Sequence, residues 1–206
     1  MSIHKNLIFL QAILSIRKEI TNMSKVLCIM DMQNDFITGA LRNEEGIKII
    51  PTVQAIAEKA LHDNDTSIFM TKDTHKDKDY KNTQEGKLLP IPHCLLGTEG
   101  QKIIPELQDI AKHTVVIQRT TFGTTELARF IRVKQRVTDV DEIALIGVCT
   151  DTCVISNALL LKTAFPETPI VIYENACAGT TPEKHEAALQ IAMSCQIYVK
   201  TWTPDC

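Results

Sequence analysis

The sequence predicts a three-layer α/β/α protein of the Rossmann-like kind, built on a six-stranded, mainly parallel sheet. Three observations predict it. Six short β-branched runs alternate along the chain with segments of helical periodicity. Strand–helix alternation of this sort makes a parallel sheet covered on both faces. With 206 residues, 44% hydrophobic and 23% charged, the chain can bury a core without disulfide or metal staples.

The elements follow in order. "VLCIMD" (26–31) is the first strand. "PTVQAIAEKAL" (51–61) sets Val53, Ile56, Ala57 and Ala60 at helical spacing, with Pro51 suited to a first turn. "TSIFMT" (66–71) is the second strand, and the polar stretch from Lys72 to about Gly100 reads as a functional loop. "TVVIQR" (114–119) is the third strand. The helix "TTELARFIRV" (124–133) follows, with Leu127, Phe130 and Ile131 on one face. "EIALIG" (142–147) is the fourth strand and leads into the helix "TCVISNALLLKTA" (152–164). "PIVIYE" (169–174) is the fifth. The next helix opens on Thr181 as N-cap and Pro182 at its first position, with Ala187, Ala188, Ile191, Ala192 and Cys195 as its buried stripe. "QIYVK" (196–200) is the sixth strand. Crossovers should be right-handed, and ligands in such sheets bind beyond the carboxyl ends of the strands.

Composition excludes some classes. A net charge of −3 with no basic stripe gives no footprint for nucleic acid. No apolar run reaches membrane-spanning length, so no membrane partner is expected. Seven cysteines, an odd number at irregular spacing, fit buried thiols in a reducing cytoplasm better than a secreted disulfide framework. Cys28 and Cys195 read as core residues. Residues 1–23 form an N-terminal extension, either an added amphipathic helix or a start-site artefact with translation beginning at Met23; a signal peptide fits less well, for no small-residue cleavage site follows. Residues 24–206 are expected to form one domain. The apolar stretch "ALLLKTA" (158–164) suits either an ordinary core contact or the face of a homo-oligomer.

Reactive residue types gather at the strand ends. Asp31 closes the first strand, Asp73 and His75 follow the second, and Arg119 ends the third. Cys149 and Cys153 follow the fourth, in "GVCTDTCV". A helix N-terminus there would favour a thiolate at Cys153, and its free N–H groups could hold an oxyanion. Cys149 would contribute its backbone N–H rather than its sulfur. Two other readings stand beside this one: inert small apolar residues near the core, and a redox pair, which the C-x-x-x-C spacing fits poorly.

Taken together, "CIMDMQNDF", "TKDTH", "PIPHC" and "GVCTDTCV" resemble the isochorismatase-like cysteine hydrolases, with "DTH" and "PHC" pointing to the nicotinamidase branch. The resemblance covers roughly residues 25 to 200 and implies the isochorismatase-like hydrolase fold. It implies a triad in which Asp31 is the aspartate and Cys153 the nucleophile, with the N–H groups of Cys149 and Cys153 as oxyanion hole. The family lysine is matched by Arg119 in "VIQRTTFGTTEL", a real departure, since a guanidinium is bulkier than an ammonium and not interchangeable with it.

The same resemblance implies one divalent metal ion, Zn, Mn or Fe(II), held by Asp73, His75, Glu85 and His93, with the Thr83 hydroxyl as the alternative to Glu85. In the family that ion holds the pyridine nitrogen of the substrate. Phe36 matches an aromatic that packs on the substrate ring. The opposite wall, aromatic in some relatives, reads Leu89, Pro90, Ile91, Pro92 here and is aliphatic. "CAGTTPEKHEAAL" also matches a family segment; Cys177, Ala178 and Gly179 read as turn and packing residues, and His185 as a helix residue outside the site. The implied activity is deamidation of nicotinamide in NAD salvage, in the cytoplasm. The alternatives are an amidase of the same family acting on a carbamoyl or ureido compound, and a non-catalytic binding relative.

Overall fold

The computed structural model describes residues 24–135 and 139–204. The N-terminal segment 1–23 lies outside the described residues. Six strands form one all-parallel sheet: β1 (Ser24–Met30), β2 (Thr66–Asp73), β3 (Val115–Arg119), β4 (Val140–Val148), β5 (Ile170–Ala178) and β6 (Tyr198–Lys200). Their order is β3-β2-β1-β4-β5-β6. Four longer helices cover it: α1 (Glu44–His62), α2 (Thr125–Gln135), α3 (Ile155–Ala164) and α4 (Pro182–Ser194).

Side-chain alternation along β1 feeds two cores. Val26, Cys28 and Met30 pack with residues of α2, α3 and α4 on one face. Leu27 and Ile29 pack with Ile49, Val53, Ile56, Ala57 and Ala60 of α1, and with Leu107 and Ile110, on the other. Strand order reverses direction between β1 and β4. With right-handed crossovers that reversal sends the helices to opposite faces and leaves a crevice at the carboxyl ends of these two strands. Backbones approach closely there: Gly147 takes φ +110, and a Cβ on it would lie 2.2 Å from the Met30 carbonyl oxygen.

Several expectations need correction. Pro51 lies inside α1 rather than in its first turn. The helix starts at Asn43, whose side chain accepts from the Gly46 N–H, with Glu44 and Glu45 in the first turn. That cap and the continuous buried stripe offset the roughly 3 kcal/mol that an interior proline costs. The stripe of α4 is rotated: Ala188, Leu189 and Ala192 are buried, whereas Ala187 and Cys195 are exposed and Ile191 is 52% exposed. Two overlapping apolar sets share this helix, and spacing alone does not choose between them. Cys195 is therefore a surface thiol, while Cys28 is core. β5 continues past Glu174 to Ala178 across a register shift opposite Leu145 and Gly147, so Cys177 and Ala178 belong to a strand rather than a turn. In "ALLLKTA", Ala158 and Leu161 are buried in this chain's own core.

Among the described residues, no helix is long and apolar enough to cross a membrane. The polar stretch after β2 carries two short helical turns, Asp77–Tyr80 and Gln84–Leu88, and loops back over the carboxyl end of the sheet.

Candidate active site

Asp31 sits just past β1 with φ +46, a left-handed conformation for which Asp is enriched. Its side chain is wholly buried. Arg119, at the end of β3, must cross β2 to reach it, a span of about two strand spacings or 10 Å between backbones. Only a long cation does so. Arg119 Nη2 donates a hydrogen bond to Asp31 Oδ2. The same nitrogen lies 2.9 Å from Cys153 Sγ, so carboxylate and sulfur are held by one donor. Arg119 Nη1 donates to the Thr121 carbonyl and stands 3.8 Å from Asp73 Oδ1, its neighbour in the β2–β3 register. The remaining nitrogen, Nε, is buried and has no acceptor among the described residues.

Cys153 lies in a single π-helical turn, Thr150–Val154, that precedes α3, and the Cys149 carbonyl accepts from the Val154 N–H. The Val148–Cys149 peptide is cis. Cys149 is half-buried; Asn43 Nδ2 stands 3.8 Å from its sulfur and donates to the Gly179 carbonyl at 2.9 Å. Asp151 accepts from both the N–H and the hydroxyl of Thr180, at 2.7 Å each, and so ties this turn to the loop after β5. Asn157 fixes it from below, donating to the Cys153 carbonyl at 2.7 Å.

One expectation about the thiol is overturned. Burial pushes Cys153 up to about 11, against the opposing pull of Arg119. Cys153 is 5% exposed, and its thiol loses more from dehydration than the cation returns. Its resting form near neutral pH is the thiol, and it needs a base. Burial raises Cys149 to about 12 as well.

A second cluster adjoins the first. Asp73, His75, Glu85 and His93 each offer one donor atom, all within 4.8 Å of one another. His75 Nε2 lies 2.9 Å and His93 Nε2 3.4 Å from Asp73 Oδ2. Glu85 stands 3.5 Å from His93 Nε2 and 3.9 Å from His75 Nε2. Donors about 2.1 Å from a common tetrahedral centre would stand about 3.4 Å apart, so these spacings fit a divalent ion. The ring orientation fits too. His93 Nδ1 is 2.9 Å from the Ile91 carbonyl, which can only accept; Nδ1 therefore carries the proton and Nε2 faces the cluster. Burial alone would raise Asp73, but hydrogen bonds from His75 and His93 outweigh it and hold its carboxyl low. Burial disfavours a charged His93, yet Asp73 and Glu85 raise it to about 10.

Both clusters open on one pocket of about 500 Å³, whose lining includes Phe36, Leu41, Leu89, Phe122, Cys149 and Cys153. The Phe36 ring is 5.5 Å from that of His93. Phe36 and Leu89, singled out in the sequence, thus both face the pocket. Thr83 does not join the metal-type cluster: its hydroxyl donates to the Tyr80 carbonyl and caps the Gln84–Leu88 turn. His185 stays out of the pocket, as expected, but is bonded to the Thr150 hydroxyl at 2.8 Å.

Sequence reasoning missed three contributors. Thr71 hydrogen-bonds Asp31, and being two residues before Asp73 it could have been found by extending the alternation that pairs Asp73 with His75. Gln33 donates to the Asp73 carbonyl and accepts from its N–H. Tyr80 wedges edge-on against both histidine rings, and no local signal marks it.

A parallel α/β sheet thus carries a buried thiol, carboxylate and cation at its switch point, an arrangement suited to a hydrolase. The isochorismatase domain profile matches residues 25–204, and the chain belongs to that family, whose nicotinamidase-type members hydrolyse amide C–N bonds. Similar proteins agree. An isochorismatase family protein, PncA, of Bacillus subtilis (strain 168) is 30% identical over 179 residues, covering 81% of this chain and 93% of its own. A crystal structure of nicotinamidase/pyrazinamidase PncA from Bacillus subtilis superposes with a TM-score of 0.72 at 27% identity, over 86% of this chain and all of that one. A pyrazinamidase of Pyrococcus horikoshii in complex with zinc gives a TM-score of 0.73 at 26% identity, covering 87% and 99%. The nicotinamidase of Saccharomyces cerevisiae is 25% identical over 178 residues, 66% of this chain and 80% of its own.

Proposed function

We propose that this enzyme deamidates nicotinamide to nicotinic acid and ammonia through a thioester on Cys153. The observation that carries this reading is the single Arg119 nitrogen holding both Asp31 and Cys153 beside the four-donor cluster. Asp31 takes the thiol proton as general base while the sulfur attacks the amide carbon. The N–H groups of Cys149 and Cys153 hold the tetrahedral oxyanion, each such donor being worth about 3 kcal/mol of barrier. Asp31 returns its proton to the departing ammonia, and water then cleaves the thioester. Asp73, His75, Glu85 and His93 would hold Zn, Mn or Fe(II), which supplies a Lewis-acidic anchor for a pyridine nitrogen. Phe36 and Leu89 confine the ring. We place the reaction in the cytoplasm, in NAD salvage.

The four-donor cluster favours a pyridine amide over a carbamoyl or ureido substrate, which has no ring nitrogen to anchor. Ammonia release from nicotinamide is expected from the metal-loaded protein, to vanish on chelation and to return with added Zn, Mn or Fe(II). Turnover of a ureido compound, indifferent to chelator, with none on nicotinamide, would move the assignment to the carbamoyl branch. No turnover on either would leave a binding protein.

Arg119→Lys tests the family departure. It removes the orphaned Nε donor and keeps a cation of similar reach. Turnover on nicotinamide should stay within about tenfold of the parent or rise. A collapse in kcat with the fold intact would mean that the planar guanidinium itself is required.

A further inference from the structure

Asp31 is closed to water, so each oxygen of its carboxylate must find its donor in the protein. Oδ2 has Arg119. Oδ1 accepts from Thr71 Oγ1 at 2.7 Å. Thr71 belongs to β2, the strand that lies between Asp31 and Arg119, and is 1% exposed. Among the described residues its hydroxyl otherwise meets only the Met30 sulfur, at 3.9 Å. A valine would fill this place in the core equally well, so the hydroxyl is there for the carboxylate.

We propose that Thr71 is the positioning residue of the base: its hydroxyl fixes the rotation of the Asp31 carboxylate, so that Oδ2 stays on the side shared with Arg119 and Cys153. A carboxylate held at one oxygen only can turn about its Cβ–Cγ bond. Held at both, it presents one oxygen to the sulfur side throughout the cycle. The β-branched side chain adds stiffness, because χ1 of a strand threonine has few alternatives. The proposal rests on Asp31 acting as base to Cys153, and it gives a role to a residue of the "TKDTH" motif that the sequence reading left without one.

The test compares Thr71→Val with Thr71→Ser. Three quantities are read: steady-state kinetics on nicotinamide, the rate at which iodoacetamide alkylates Cys153 (followed by mass spectrometry of its peptide), and Zn(II) affinity by chelator competition. Thr71→Val should lower kcat and the alkylation rate on the order of 10- to 100-fold, the loss expected for one hydrogen bond to a buried charge. KM and Zn(II) affinity should stay within about twofold, and Thr71→Ser should recover most of both rates. Parent-like rates in Thr71→Val overturn the proposal, as does a Thr71→Ser variant equally slow. A matching loss of Zn(II) affinity also overturns it, since Thr71 would then act through Asp73. If Thr71→Val does not fold, Thr71→Ala against Thr71→Ser makes the same comparison. Should the parent hydrolyse no amide, the functional reading fails, while the alkylation rates still judge Thr71.

Discussion

Replacing Cys153 with alanine is expected to end ammonia release from nicotinamide, a loss of about 10⁶-fold or more, since no second nucleophile stands at that point. Cys149 lines the same pocket, but its sulfur faces the Asn43 amide, and burial holds it up to about 12. The fold should survive. The turn that carries Cys153 is secured by backbone contacts and by Asn157 and Asp151, none of which uses the sulfur. The metal-type cluster contains no sulfur ligand, so Zn(II) affinity should match the parent. Ammonia release, thermal melting and metal content measured on one preparation decide the matter. Turnover retained by Cys153→Ala would end the thioester scheme.

Asp31→Asn should cost both activity and stability. Losing the base lowers kcat/KM by about 10²–10⁴-fold, the range over which a positioned proton acceptor contributes. The stability cost comes from the cation left behind. Arg119 is 6% exposed, already carries one orphaned donor, and would then lack its principal counter-charge. Breaking a buried pair from one side costs about 3–5 kcal/mol. For a chain of this size that is a fall in Tm of roughly 6–20 °C. Asp73 Oδ1 at 3.8 Å is the remaining anion, so Zn(II) should restore less stability to this variant than to the parent by competing for that carboxylate. A variant as stable as the parent would mean that the Asp31–Arg119 contact contributes little.

The sheet and its layers were legible because each strand reads as a β-branched run between helical stripes, and right-handed crossovers leave few arrangements. Boundaries were harder. α1 begins seven residues before Pro51 because a capping asparagine and two glutamates outweigh a proline penalty that local reading takes as decisive. The stripe of α4 slipped by one helical position, since alanines on both sides make two faces equally plausible until the sheet beneath selects one. Within the site, Asp31, Arg119, Cys153 and the four metal-type donors fall at strand ends and in short motifs, where sequence order predicts convergence. Thr71, Gln33 and Tyr80 act on these groups from neighbouring strands and turns. Thr71 and Gln33 lie inside the quoted motifs, but their bonds reach partners 40 residues away, which the motifs alone do not specify, and Tyr80 packs on both histidines from outside them. The protonation of Cys153 was misjudged for a related reason. A helix terminus is visible in sequence; the depth at which it is buried is not.

That depth bears on how the protein meets oxidants. Peroxides attack thiolates, and overoxidation to sulfinic acid follows thiolate character and access. Burial pushes the Cys153 thiol well above its ordinary value and so works against the thiolate in the resting site. A buried thiol that keeps its proton should be alkylated and oxidised by peroxide more slowly than an exposed, acidic cysteine.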